Sequence, residues 1–202
     1  MRICFFGDSF VNGTGDDDCL GWVGRLCAGE RRAEHDLTVY NLGVRRDTSA
    51  DVRARWRREA EARLPEGCGR RLVFSFGAND CALEDDDTGP RIAAEATMAN
   101  AAAILGEAKR WLPTLMVGPP PVAAEAERNA EIVRISEGIA RVCADLGIPF
   151  ISAATLAPAF YAKWRAEAEA QAGDGIHPNR AGYAALAEAI GRSGVWKAWL
   201  AL

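Results

Sequence analysis

Histidine is the scarcest chemically useful residue in this chain: only His35 and His177 occur in 202 residues. A general base working near neutral pH is most often histidine, because its unperturbed pKa lies close to neutrality. A serine nucleophile here therefore has few bases to draw on. Long apolar runs are missing as well, so no segment is expected to cross a bilayer and no membrane partner is expected. A basic excess is also absent. The 24 Lys and Arg against 28 Asp and Glu leave a net charge of −4, which argues against a nucleic-acid partner. Six cysteines are present (Cys4, Cys19, Cys27, Cys68, Cys81 and Cys143), but they form no Cys-x-x-Cys pair and have no histidine at metal-site spacing. Reduced thiols in a cytoplasmic protein are expected, with no metal and no cofactor. Met1-Arg2 leads straight into a strand-like run, which is not the pattern of a signal peptide.

What remains is ordinary globular material. Apolar residues make up 49% and charged residues 26%, and the length suits one domain over residues 1–202 with one well-buried core. Short apolar runs alternate with helical patterns. Strands are expected at Arg2–Phe6, Leu37–Leu42, Arg71–Phe76, Leu115–Gly118 and Pro149–Ile151. Helices are expected at Leu20–Ala33, Ser49–Leu64, Arg91–Trp111, Glu125–Leu146 and Ala181–Ile190. In the fourth, Ile132, Ile135, Ile139, Val142 and Leu146 form one stripe at helical spacing, and Gly147 follows as a C-cap before Pro149. Such alternation implies an α/β fold: a parallel sheet with helices on both faces. Ligands of such sheets bind beyond the carboxyl ends of the strands. Gly7–Gly15, Gly43–Ser49, Gly77–Asp80 and Pro119–Val122 all fall on that edge.

Ser9 lies there, just past the first strand. A serine hydroxyl needs a base within reach and donors aimed at the oxyanion that forms on attack. His177 carries Asp174 three residues upstream, which could accept from the ring and fix its tautomer. Gly43, without a side chain, could bring its amide close to a substrate oxygen. Asn79 offers a neutral side-chain amide, and the Ser9 amide is a third donor.

Four segments resemble the blocks of the SGNH hydrolase superfamily, the GDSL-type esterases and lipases. They are Gly7-Asp8-Ser9-Phe10, Asn41-Leu42-Gly43-Val44-Arg45-Arg46-Asp47-Thr48-Ser49, Gly77-Ala78-Asn79-Asp80 and Asp174-Gly175-Ile176-His177-Pro178. Each is weak alone, but four in this order form a specific pattern that covers essentially the whole chain. The resemblance implies a three-layer α/β/α, flavodoxin-like fold with a five-stranded parallel sheet. It implies Ser9 as nucleophile, His177 as base and Asp174 as its orienting acid, with Ser9, Gly43 and Asn79 forming the oxyanion hole. Phe10 stands where leucine is usual, and Arg46 where many relatives have a second glycine.

The expected activity is a cofactor-independent serine esterase acting on a small-molecule ester or thioester with a short acyl chain. Carbohydrate O-deacetylation is a close variant. A non-catalytic doubly wound binding module, or a degenerate member acting as an interaction protein, are rivals that have no need of Asp174 and His177 together. Association into a homo-oligomer is left open.

Other residues have plainer readings. His35 is expected in a surface loop, Asn179 as a helix N-cap, and Asp47 and Thr48 as caps of the helix that follows them. Arg53 to Arg58 read as a solvated helix face. The runs Asp16–Asp18 and Glu84–Asp87 read as solvated loop charges rather than a metal site, and they make the cleft negative if they flank it. Pro119–Val122 could wall a pocket or be a stiff loop. Phe160, Tyr161 and Trp164 could line an acyl pocket or pack their segment down. Trp196 and Trp199 are expected to dock the C-terminal tail, with a subunit contact as the second reading.

Overall fold

The computed structural model describes residues 1–32, 36–83, 89–122, 126–154, 174 and 176–202. Its centre is a five-stranded parallel sheet of β1 (Arg2–Gly7), β2 (Thr38–Gly43), β3 (Arg70–Ser75), β4 (Thr114–Val117) and β5 (Phe150–Ile151). The strand order is β2-β1-β3-β4-β5. Around it lie α1 (Ser9–Asn12), α2 (Gly21–Arg32), α3 (Ser49–Glu61), α4 (Ala94–Trp111), α5 (Ala126–Leu146), α6 (Arg180–Arg192) and α7 (Gly194–Leu200).

The period of two along each strand divides the apolar residues between two cores. In β1, Ile3 and Phe5 enter one core while Cys4 and Phe6 enter the other. The first core gathers Trp22, Val23 and Leu26 of α2, Tyr183, Leu186 and Ile190 of α6, and Trp196 and Trp199 of α7. The second gathers Val52 and Trp56 of α3, Ile104 and Leu105 of α4, and Ile135, Ile139 and Cys143 of α5. The result is the expected three-layer α/β/α arrangement.

Several expectations hold. The Ile132/Ile135/Ile139 stripe of α5 is buried, and Gly147 ends that helix with φ +61 while Ile148 N–H closes onto Cys143 O. Trp196 and Trp199 are buried, and Trp196 Nε1 donates to Glu30 Oε1 at 2.9 Å, so the tail is docked. Two helix boundaries differ by three residues: α3 ends at Glu61 rather than Leu64, and α4 begins at Ala94 rather than Arg91. Before it the chain returns to the end of β3, where Arg91 N–H donates to Ala82 O and Ile92 N–H to Asp80 O.

This topology fixes where chemistry can happen. β1 has β2 on one side and β3 on the other, so the strand order reverses at β1, and a crevice opens beyond its carboxyl end. The residue two past the end of β1 is Ser9.

Candidate active site

Local chemistry builds the turn that carries Ser9. Asp8 is the N-cap of α1, and its Oδ1 accepts from Phe10 N–H at 2.9 Å. Helix α1 is a single turn, closed by Gly13 at φ +90. Ser9 is therefore held at a helix start, 3% exposed. Its backbone N–H has no hydrogen-bond partner among the described residues.

The histidine arrives from the far end of the chain. His177 Nε2 lies 2.7 Å from Ser9 Oγ, and His177 Nδ1 lies 2.6 Å from Asp174 Oδ2. Asp174 Oδ1 also accepts from the backbone N–H groups of Ile176 at 3.0 Å and His177 at 2.9 Å. Partial burial alone would raise the Asp174 carboxyl, but those amides and the imidazole outweigh it and hold it below the usual range. An ionised carboxylate can only accept, so Nδ1 carries the ring proton and Nε2 presents a lone pair to Ser9.

Contacts from segments distant in sequence also hold the imidazole in place. The Phe10 ring lies 5.3 Å from the His177 ring, centroid to centroid, and Phe10 is 1% exposed. Gly15, at φ +89, passes so close that a Cβ there would lie 3.1 Å from His177 Cβ and 3.0 Å from Pro178 O. Tyr183 Oη donates to Thr14 O at 2.8 Å, and Asn179 caps α6 through Gly182 N–H, as expected.

Within the acidic run Asp16–Asp18, Asp16 departs from its reading as solvated loop charge, while Asp17 and Asp18 stay exposed. The Asp16 side chain is fully buried; it accepts from the N–H groups of Asp18, Leu20 and Gly21 and pairs with Arg25. Burial alone would raise this carboxyl, but Arg25 and the Gly21 and Asp18 amides hold it below the usual range. Asp18 pairs with Arg25 and Arg180. The run thus shapes the loop against which His177 rests. The other acidic run, Glu84–Asp87, lies outside the described residues, as do His35, Phe160, Tyr161 and Trp164.

Asn79 sits beyond β3, and its Nδ2 donates one hydrogen to Asp47 O at 3.0 Å. The second amide hydrogen remains for another acceptor. Its neighbour Asp80 is fully buried and ties three elements together: Oδ1 accepts from Ser49 N–H and Oδ2 from Thr97 Oγ1, both at 2.8 Å.

Gly43 is explained by packing: a Cβ there would collide with Asn12 N and lie 2.7 Å from Asp8 O. Its own N–H donates to Asn41 Oδ1 at 3.0 Å. Three residues on, Arg46 holds φ +73, the left-handed region where glycine is at ease. The Arg46 N–H has no partner among the described residues, while its carbonyl accepts from Arg91 Nη1 at 2.8 Å. Thr48 forms a capping box with Asp51 at the start of α3, whereas Asp47 turns to Arg55 and caps nothing.

Two hollows lie near these residues in sequence. One of about 400 Å³ is lined by Asn12, Thr14, Gly15, Cys19 and Arg45, and Arg45 lies 3.7 Å from Asp174 Oδ2. The other, of about 910 Å³, starts two residues past Asn79 and is lined by Cys81, Leu83, Arg128, Glu131 and Arg134. Pro119–Val122 is buried and pinned to α5, where Asn129 bonds both the N–H and the carbonyl of Val122. No group of three or more His, Cys, Asp or Glu that could hold a metal occurs among the described residues.

The sequence matches the GDSL-like Lipase/Acylhydrolase family over residues 5–185. The chain belongs to this family. It is a serine esterase, a hydrolase of carboxylic esters, and its substrate is a small-molecule ester. No curated protein matches the chain. Among solved structures it is similar to Axe2, an acetylxylan esterase from Geobacillus stearothermophilus, with 18% identity and a TM-score of 0.75 over 93% of this chain and 91% of that one. It is similar too to LAE5, an alpha/beta hydrolase from the metagenome of Lake Arreo, Spain, with 21% identity and a TM-score of 0.74 over 93% of this chain and 92% of that one. Catalytic mutants of Axe2 match it with TM-scores of 0.75, 0.74 and 0.72. No helix among the described residues is long and apolar enough to cross a membrane.

Proposed function

We propose that this esterase works through an acyl-enzyme on Ser9 and cleaves short-chain acyl esters, acetylated carbohydrates being the favoured class. The observation that carries the reading is the continuous hydrogen-bonded chain from Ser9 Oγ through His177 to Asp174, at 2.7 and 2.6 Å. His177 Nε2 takes the Ser9 proton as Oγ attacks the carbonyl carbon. Asp174 stabilises the imidazolium that results. The proton then passes to the leaving alkoxide, which departs as the alcohol. Water, deprotonated by the same nitrogen, releases the acid and restores Ser9.

The negative charge of each tetrahedral intermediate needs donors already in place. Ser9 N–H and Asn79 Nδ2 have hydrogens to give. From the loop after β2 the sequence points to Gly43, whose N–H is engaged by Asn41. We assign the third donor to the N–H of Arg46, which has no partner among the described residues and stands next to the residue whose carbonyl accepts from Asn79. The left-handed backbone at Arg46 gives a physical reason for the glycine that many relatives carry there.

Acetyl esters of sugars are favoured because Axe2, an acetylxylan esterase, shares the fold, and its catalytic mutants replace a serine, a histidine and an aspartate with alanine. Six free thiols, three of them buried, fit a reducing cytoplasm. One domain over residues 1–202 remains the working description.

The test pairs labelling with turnover. A fluorophosphonate should label the parent at Ser9 and leave Ser9→Ala unlabelled, and acetylated xylo-oligosaccharides should turn over faster than long-chain aryl esters. Labelling at another residue, or ester turnover by folded Ser9→Ala, would overturn the mechanism. A preference for long acyl chains would overturn the substrate class alone.

A further inference from the structure

Arg55 lies on α3 in a run where alternate residues are arginine, and its sequence context suggests a solvated helix face. The structure folds it inward instead: its side chain is 19% exposed and its guanidinium is spent on the ends of two strands. Nη2 donates to Gly7 O at 3.0 Å and to Leu42 O at 2.9 Å. Nε donates to Asp47 Oδ2 at 2.7 Å, and Nη1 reaches Glu59 at 3.4 Å. We propose that Arg55 is the positioning residue of the oxyanion hole, fixing all of its donors from one planar cation. This rests on the reading of Ser9, Arg46 and Asn79 as those donors.

The argument follows the covalent chain outward from each contact. Gly7 O is the carbonyl of the last residue of β1, two residues before Ser9. Leu42 O and the Asp47 carboxylate lie at the two ends of the loop that carries Arg46. A non-glycine residue at φ +73 is strained and persists only where its surroundings over-determine it. Clamping the loop at both ends does that. The Asp47 carbonyl also accepts from Asn79 Nδ2, so holding Asp47 aims the Asn79 amide. Three donors from three separate strand exits thus share one anchor. Only a guanidinium offers enough donors in a fixed fork for this; an ammonium is a point charge on a flexible stem.

Arg55 touches neither the nucleophile nor the region where substrate reacts, so its loss should move the donors and leave the Ser9–His177–Asp174 chain alone. The test uses the full chain with Arg55→Lys and Arg55→Met. Four readouts are taken: melting temperature, kcat and KM for an aryl acetate, the pH midpoint of kcat/KM, and the inhibition constant of a small alkylboronic acid. The boronic acid forms a tetrahedral adduct on a serine oxygen and so samples the same donors. In the folded variants kcat should fall about 10–100-fold with KM within threefold. Boronate affinity should fall by the same factor as kcat/KM, and the pH midpoint should stay where it is. A structural role alone would not produce that match.

Turnover within threefold of the parent would overturn the proposal. So would reduced kcat with boronate affinity intact, since the donors would then be in place. Loss of the folded state in both variants would assign Arg55 to stability alone and overturn it too. The underlying reading fails separately, through ester turnover by Ser9→Ala.

Discussion

Ser9 and His177 meet at 2.7 Å, but the protein holds them by different means. Ser9 is fixed from within its own segment: a central strand ends, Asp8 caps one helical turn, and the serine is on it. His177 is held by Asp174 three residues away and also by neighbours distant in sequence. The Phe10 ring covers one side of it, Gly15 abuts its Cβ, and the Gly15 loop takes its shape from Asp16 and Arg25. The serine depends on the sheet, and the histidine on a loop pressed against it. Each half should therefore respond to a different class of substitution.

The largest effect comes from breaking either half outright. Ser9→Ala and His177→Ala should each lower kcat by roughly 10⁴-fold or more while the fold survives, and the double variant should be hardly worse than either, because the two act as a unit. Additive losses in steady-state kinetics would mean that they do not. Next comes Asn79→Ala, which belongs to the strand-end half but touches neither Ser9 nor His177. One missing oxyanion donor should cost roughly 10²–10³ in kcat with a smaller change in KM. If KM rises and kcat stays, Asn79 binds the ground state.

A subtler substitution separates the halves. Gly15→Ala adds a Cβ against His177 and Pro178 and strains a backbone at φ +89. It should push the imidazole off line and lower kcat about 10–100-fold. The affinity for a boronic acid should fall less, since the donors are untouched. Equal losses in both would show that the loop supports the whole site, and the comparison would collapse.

The last test concerns the nucleophile turn and should affect turnover least. Burial pushes the Asp8 carboxyl up to about 7, against the pull of the Phe10 amide and with Asp80 and Asp47 adding to the rise. The folded protein keeps this proton to about pH 7, whereas the unfolded chain releases it near 3.8. The stabilisation is therefore complete below the unfolded value and is lost as pH rises through that window, by at most about 1.4 kcal/mol per pH unit. Asp8→Asn keeps an oxygen for the cap and should flatten this fall in melting curves between pH 4.5 and 7 (approximate limits set by the two pKa values). Unchanged slopes would show that Asp8 ionises freely.

Much of this was legible in the sequence. All five strands and the main helices lie where apolar periodicity puts them, because each strand feeds both cores and each helix shows one stripe. That Ser9, His177 and Asp174 come together, and that Asn79 lies beyond β3, was readable from motif order and position. Three features were not, each for the same physical reason: a partner distant in sequence decides them. Three consecutive aspartates look solvated until Arg25 and the Gly21 amide bury the first. Arg55 looks like its exposed neighbours until the ends of β1 and β2 draw it in. Gly43 looks like a free donor until Asn41 takes its N–H, two residues away in sequence but aimed by the Val11 carbonyl.

The two glycines at the heart of the motifs carry one further implication. A Cβ on Gly7 would collide with Ser75 O, and one on Gly43 with Asn12 N. Both positions are set by how tightly the backbone packs, whatever reaction follows. A descendant that lost Ser9 or His177 would be under the same pressure to keep them. In related genomes, then, these two glycines mark inheritance of the architecture, and an inventory of active enzymes has to count the serine and the histidine instead.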